Sequence, residues 1–125
     1  MYKSSPIGHE FTITMFGVNK QFLNNSNKLK KVLEDAAREE NYKILNSFGY
    51  KFNPHGISVA VMISESHLCV HTYPEYNSLV FNFYTCRGEN DGVKTVEFLK
   101  SKIKHSRFIL EERKVVVDEN KLDRK

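Results

Sequence analysis

The run Ile57-Ser58-Val59-Ala60-Val61-Met62-Ile63-Ser64-Glu65-Ser66-His67-Leu68-Cys69-Val70-His71-Thr72 decides how the rest of the chain is read. Ile57 to Ser64 is apolar and β-branched enough to be a strand in the middle of a sheet. A partner strand begins near Ser66 and runs to Thr72. Glu65-Ser66 falls where the two meet. A serine hydroxyl beside its own peptide carbonyl can attack that carbonyl where the backbone is strained and a base is near. Most Glu-Ser pairs are surface turns, so the dipeptide alone is a weak signal.

Upstream, His9 to Phe16 alternates, with Phe11, Ile13 and Met15 on one side and Glu10, Thr12 and Thr14 on the other, and Gly17 ends it. That is a half-buried strand. Asn25-Ser26 offers helix caps, and Leu29, Val32, Leu33, Ala36 and Ala37 recur with helical spacing. The interleaved Lys28, Lys30 and Lys31 are read as the solvated face, since no aromatic platform accompanies them. Tyr42 to Phe52 returns to a strand pattern, and Asn53-Pro54-His55-Gly56 is a turn. Downstream, Leu79 to Cys86 is a strand, Val93, Val96, Leu99 and Ile103 mark a second amphipathic helix, and Phe108 to Val117 is the last strand. Residues 1–8 and Asp118 to Lys125 read as loose ends. The order β-α-β-β-β-β-α-β predicts an α+β two-layer sandwich, an antiparallel sheet with two helices on one face.

The 125 residues suit one domain. A net charge of +4 with mixed signs does not point to nucleic acid. No apolar run approaches the roughly 18 residues of a membrane helix, and the opening Met1-Tyr2-Lys3-Ser4-Ser5-Pro6 lacks the apolar core of a signal peptide. Two cysteines, Cys69 and Cys86, make no disulfide framework and suit a reducing cytoplasm. No CxxC or HExxH metal spacing occurs.

Several spacings agree with one family. Ser64-Glu65-Ser66-His67-Leu68, His71-Thr72, Pro74-Glu75-Tyr76 and Thr85-Cys86, with Phe52-x-Pro54-x-Gly56-x-Ser58 before them, resemble the short bacterial and archaeal form of S-adenosylmethionine decarboxylase. The likeness runs from about residue 8 to 110 in element order and is sharpest over residues 52–86.

The resemblance implies a proenzyme that cuts itself between Glu65 and Ser66 into residues 1–65 and 66–125, with Ser66 becoming a covalent pyruvoyl group. The Ser66 hydroxyl would attack the Glu65 carbonyl to give an ester. Loss of the Ser66 α-proton and elimination would leave dehydroalanine, which hydrolyses to the ketone. That ketone would form a Schiff base with the substrate amine and accept the electrons left when carbon dioxide departs. By the same resemblance His71 is the base for processing, with Ser58 assisting. Cys86 is the proton donor in decarboxylation. Phe52 stacks on adenine, Glu75 binds the ribose hydroxyls, and the product is the aminopropyl donor for spermidine synthesis. Cys69 has no counterpart role and reads as packing.

Four positions depart from the family: Asn77-Ser78 where Gly-Tyr is usual, Asn82 where Asp is common, and Arg87 where Gly follows the cysteine. An Arg87 pointing inward would disfavour a sulfonium substrate, so a pyruvoyl-dependent decarboxylase of arginine or ornithine is the alternative within enzymes. Outside them, the alternative is a non-catalytic α+β binding module.

Strand geometry adds an expectation. Ser66 and His71 are five residues apart, about 16 Å along a regular strand. The odd spacing puts their side chains on opposite faces. Unless the strand kinks, a homodimer with shared sites is implied, one protomer supplying Glu65, Ser66 and Cys86 and the other Phe52, Ser58, His71 and Glu75.

Overall fold

The computed structural model describes residues 5–64, 66–88 and 90–122. Its elements are β1 (Ile7–Phe16), α1 (Lys20–Leu23), α2 (Ser26–Arg38), β2 (Ile44–Lys51), β3 (Ile57–Ile63), β4 (Ser66–Tyr73), β5 (Ser78–Thr85), α3 (Val93–Lys102) and β6 (Arg107–Val116). The strands form one antiparallel sheet in the order β2-β3-β4-β5-β1-β6. The hydrophobic run of β3 and β4 therefore lies inside the sheet, as its composition predicts. β1 begins at Ile7, inside the stretch expected to be a loose end, because it is paired along its length by β5 on one side and β6 on the other.

One face of the sheet is closed by the helices. Phe11, Ile13 and Met15 of β1, Val59 and Val61 of β3, Leu68 and Val70 of β4, and Phe81 and Phe83 of β5 are buried with Leu29, Leu33, Ala36 and Ala37 of α2 and with Val96 and Leu99 of α3. Each large side chain removed from water contributes roughly 1.5–3 kcal/mol. The helices are tied to each other by the Thr95 hydroxyl, which donates to the Ala36 carbonyl at 2.8 Å.

Asn25 caps α2, its side-chain oxygen accepting the Lys28 N–H at 3.1 Å. The four-residue α1 was not expected from the sequence. Asn19 caps it by accepting the Gln21 N–H at 2.7 Å, and it seats Leu23 in the core. α3 starts at Gly92, whose φ of +93 suits glycine. A Cβ there would come within 2.8 Å of Phe83 and 2.9 Å of Phe11. The C-terminal segment, expected to fray, carries a single 3₁₀ turn at Glu119–Lys121 capped by Asp118. Among the described residues no helix is long and apolar enough to cross a membrane.

Among the described residues, no helix covers the opposite face of the sheet. Residues paired directly across strands share a face, which puts Phe48, Tyr50, Met62 and Tyr73 there with Ser58 and His71. Phe48 and Tyr50 are 66% and 63% exposed. These aromatics of β2 are in phase as the sequence predicts, but they face away from the helices.

Candidate active site

Two groups of polar side chains are gathered at opposite ends of β4. At the first end, the pairing of β3 with β4 sets Ser58 opposite His71. The Ser58 hydroxyl and His71 Nδ1 are 2.6 Å apart. Beside them lies a cavity of about 270 Å³ whose lining includes Phe52, His55, Ser58, His71, Tyr73 and Glu75. Phe52 enters it because the turn after β2 folds back, with the Phe52 N–H donating to the Gly56 carbonyl at 2.8 Å. The Gly56 N–H in turn donates to the Asn24 side chain at 3.1 Å, which anchors the turn to the end of α1. Phe52 is half-exposed, its ring 4.9 Å from that of Tyr50. Glu75 sits in a single 3₁₀ turn, Pro74–Tyr76, and its Oε1 is 3.4 Å from His55 Nε2. His55 was seen in the sequence only as part of a turn. Its signal was its place between Phe52 and Ser58, both of which line the same cavity.

At the second end, Ser66 opens β4 and Cys86 follows the last residue of β5. Both are buried, with the Ser66 Oγ 3.8 Å from the Cys86 Sγ. Arg87 does not point its charge at this pair. Its Nη2 donates to the Glu40 carbonyl at 2.7 Å, its Nε lies 3.5 Å from Asp91 Oδ1, and its guanidinium covers the Tyr42 ring at 4.3 Å. The buried Asp91 also accepts the Tyr42 hydroxyl at 2.5 Å and the Arg87 N–H at 3.0 Å. Burial, and then the hydrogen bond to and charge of Asp91, push the Tyr42 phenol far above its ordinary pKa, so it remains a donor. Glu40 finishes the clasp by accepting the Lys94 N–H at 2.7 Å. The expectation that Arg87 might repel a cationic substrate loses its premise, because this cation is spent on Asp91, Tyr42 and Glu40.

The other departures also have local explanations. Asn77 has φ +52, a left-handed conformation that Asn adopts more readily than most residues. Ser78 is buried and its hydroxyl donates to the Tyr76 carbonyl at 2.8 Å. Asn82 Oδ1 lies 3.0 Å from His67 Nε2, which holds His67 on the open face, away from the Ser66 hydroxyl. Cys69 is half-buried on that face, and burial pushes its thiol pKa up.

The structure thus joins Ser66 to Cys86, and Phe52, Ser58, His71 and Glu75 to one another, but not the first set to the second. Glu65 lies outside the described residues. β4 carries no kink: its register runs unbroken from Ser66 opposite Ile63 to His71 opposite Ser58. Ser66 is buried on the helix side and His71 is exposed on the open side.

The chain is similar to known proteins in both sequence and fold. The family model described as S-adenosylmethionine decarboxylase matches residues 9–114. The S-adenosylmethionine decarboxylase proenzyme of Thermosipho melanesiensis is 35% identical over 101 residues, 81% of this chain and 78% of that protein. That of Pyrococcus horikoshii is 32% identical over 98 residues, 78% of this chain and 70% of that protein. The crystal structure of the adenosylmethionine decarboxylase from Aquifex aeolicus superposes with a TM-score of 0.83 at 20% identity, covering 96% of this chain and 99% of that one, and shows the same fold.

Proposed function

This chain belongs to the S-adenosylmethionine decarboxylase family, and we propose that it decarboxylates S-adenosylmethionine to the aminopropyl donor for spermidine synthesis after cutting itself between Glu65 and Ser66. The observation that carries this reading is the pairing of Ser66 with Cys86 at 3.8 Å in a buried setting. Burial around Ser66 limits access of bulk water to a carbonyl formed there, and a thiol beside it is placed to deliver a proton. Ser66 fits that precursor role by residue type, by its place at the start of β4 and by burial. Once present, the pyruvoyl group supplies a carbonyl that takes up electrons as carbon dioxide leaves.

The roles of the chain's own residues follow from where they stand. Cys86 gives its proton to the substrate α-carbon. Phe52 offers a half-exposed ring to adenine, and Glu75, steadied by His55, accepts from the ribose hydroxyls. His71, oriented by Ser58, takes the Ser66 α-proton during processing. Since β4 runs straight, His71 of one protomer serves Ser66 of another, and the working unit is a homodimer with two shared sites. The exposed aromatics of the open face suit such a contact. The whole chain acts as one domain, in the cytoplasm, without nucleic acid or membrane as partner.

The test is intact mass of the purified protein, then product analysis with S-adenosylmethionine, arginine and ornithine. Two fragments, residues 1–65 and 66–125, the second with a blocked amino terminus, and release of carbon dioxide from S-adenosylmethionine are expected. A chain that stays whole on long incubation would sink the reading. Turnover of arginine or ornithine alone would keep the cleavage and reject the substrate.

A further inference from the structure

Self-cleavage needs two proton acceptors in sequence. One receives the Ser66 hydroxyl proton as oxygen attacks the Glu65 carbonyl, and a later one receives the Ser66 α-proton. His71 is assigned the second proton above, and nothing so far accounts for the first.

The Ser66 end of the sheet holds a histidine of its own. His9 is 3% exposed and Thr85 is fully buried. Among the described residues, His9 Nε2 and Thr85 Oγ1 are the buried side-chain atoms without a hydrogen-bond partner. Buried polar atoms left unpaired are uncommon and point to a purpose or an absent partner. Their location narrows the choice. His9 pairs directly with Thr85 across β1 and β5. His67 pairs with Tyr84 at the end of the β4–β5 ladder, and Ser66 and Thr85 are the next residues along the two strands, which extends the row to Ser66. His9, Thr85 and Ser66 thus form one row across three strands, all buried on the helix side. Directly opposed side chains start about 5 Å apart at Cβ. The Cys86 carbonyl also accepts the Ser5 N–H at 3.3 Å, so Ser5 is tied down beside the same pair.

We propose that His9, acting through the Thr85 hydroxyl, is the proton acceptor for the first step of self-cleavage, serving the Ser66 of its own protomer. This rests on the self-cleavage reading above. As the Ser66 oxygen bonds to the Glu65 carbonyl carbon, its proton passes to Thr85 Oγ1 while the Thr85 proton passes to His9 Nε2. When the C–N bond breaks and the ester forms, the same proton returns along the row to the departing Ser66 nitrogen. No proton is gained or lost and no co-reactant is needed. The two unpaired atoms are then the acceptor and relay of a transfer whose hydrogen bonds tighten only as the reaction proceeds. The division of labour also fits the geometry. The first proton is handled within one protomer, where Ser66, Thr85 and His9 share a face, and the second across the dimer, where His71 is.

Hydroxylamine separates the steps, because it cuts an ester and leaves a peptide bond. Purified wild type, His71→Ala, His9→Asn, Thr85→Val and the His9→Asn/His71→Ala double variant are followed on denaturing gels with and without hydroxylamine, with thermal melting as the check on folding. His71→Ala is expected to stay full-length yet be cut by hydroxylamine at Glu65–Ser66. His9→Asn is expected to melt like the wild type, cleave at least about a hundredfold more slowly, and resist hydroxylamine. In the double variant the hydroxylamine sensitivity disappears, since His9 acts first. Thr85→Val, which keeps the side-chain shape, slows cleavage without ester build-up and carries the test if His9→Asn does not fold. Cleavage of His9→Asn or Thr85→Val at the wild-type rate, or a hydroxylamine-sensitive ester in His9→Asn, would overturn the proposal. Failure of the wild type itself to cleave would instead overturn the self-cleavage reading.

Discussion

In the proposed mechanism Cys86 and Glu75 carry distinct burdens, one toward the reacting atom and one toward the rest of the substrate. Cys86 is buried 3.8 Å from the Ser66 hydroxyl, so its loss should spare self-cleavage and remove proton delivery. Cys86→Ala is expected to appear as two fragments on a denaturing gel while decarboxylation falls by about 10²–10⁴-fold, the usual worth of a positioned acid. Its pyruvoyl group should also be lost faster, by misdirected protonation that leaves an alanine end visible by mass. Unchanged turnover would remove Cys86 from the mechanism. Glu75 lies in the cavity at the other end of β4, half-exposed and paired with His55. Glu75→Gln keeps the shape and loses the charge, so KM for S-adenosylmethionine should rise by roughly tenfold, the worth of one charge-assisted hydrogen bond. Cleavage should be untouched. If cleavage slows and KM holds, Glu75 serves processing instead.

At the scale of elements, the clasp of Tyr42, Arg87 and Asp91 fixes the loop that follows β5 and so the end of the strand that bears Cys86. Tyr42→Phe leaves the buried Asp91 carboxylate one donor short, a loss of about 1–3 kcal/mol. The melting temperature should drop by several degrees. The pH dependence follows from the raised phenol pKa. The folded protein holds the Tyr42 proton more tightly than the unfolded chain, whose ordinary value is 10.0. The stabilisation is therefore complete below pH 10 and is lost as pH climbs toward the folded-state value. Denaturant melts should show the gap between wild type and Tyr42→Phe narrowing above pH 10, and a constant gap would mean that the phenol proton is not involved. None of this clasp was legible in the sequence, because Tyr42 and Asp91 are joined only by folding. What local pattern could carry was read: the phase of β1, the central place of β3, the opposite faces of Ser66 and His71 on β4, the Asn25 cap and the helical stripe of α2. The four residues of α1 are too few for a periodic signal, and their capping by Asn19 looks like any loop asparagine. The row of His9, Thr85 and Ser66 is likewise a product of strand order, with β1 inserted beside β5. The strand pattern of β2 left the face of its aromatics open, because alternation shows that one side differs from the other, not which side the helices cover.

For the molecule as a whole, the decisive fact is that β4 is straight. Straightness places Ser66 and His71 about 16 Å apart on opposite faces, which is the ground for proposing that each belongs to a different site. That separation was readable from an odd spacing in the sequence, and the unbroken register removes the kink that could have rescued a site within one protomer. The proposed composite homodimer rests on this geometry, and one measurement bears on it most directly. Ser66→Ala and His71→Ala chains, each unable to cleave alone, are co-expressed with different tags and the mixed dimers are isolated. In such a dimer, the His71→Ala chain keeps its own Ser66 and meets an intact His71 from its partner. Partial cleavage of the His71→Ala chain, and none of the Ser66→Ala chain, is the result this account predicts. Mixed dimers that form and stay whole would place the site within one protomer and contradict it.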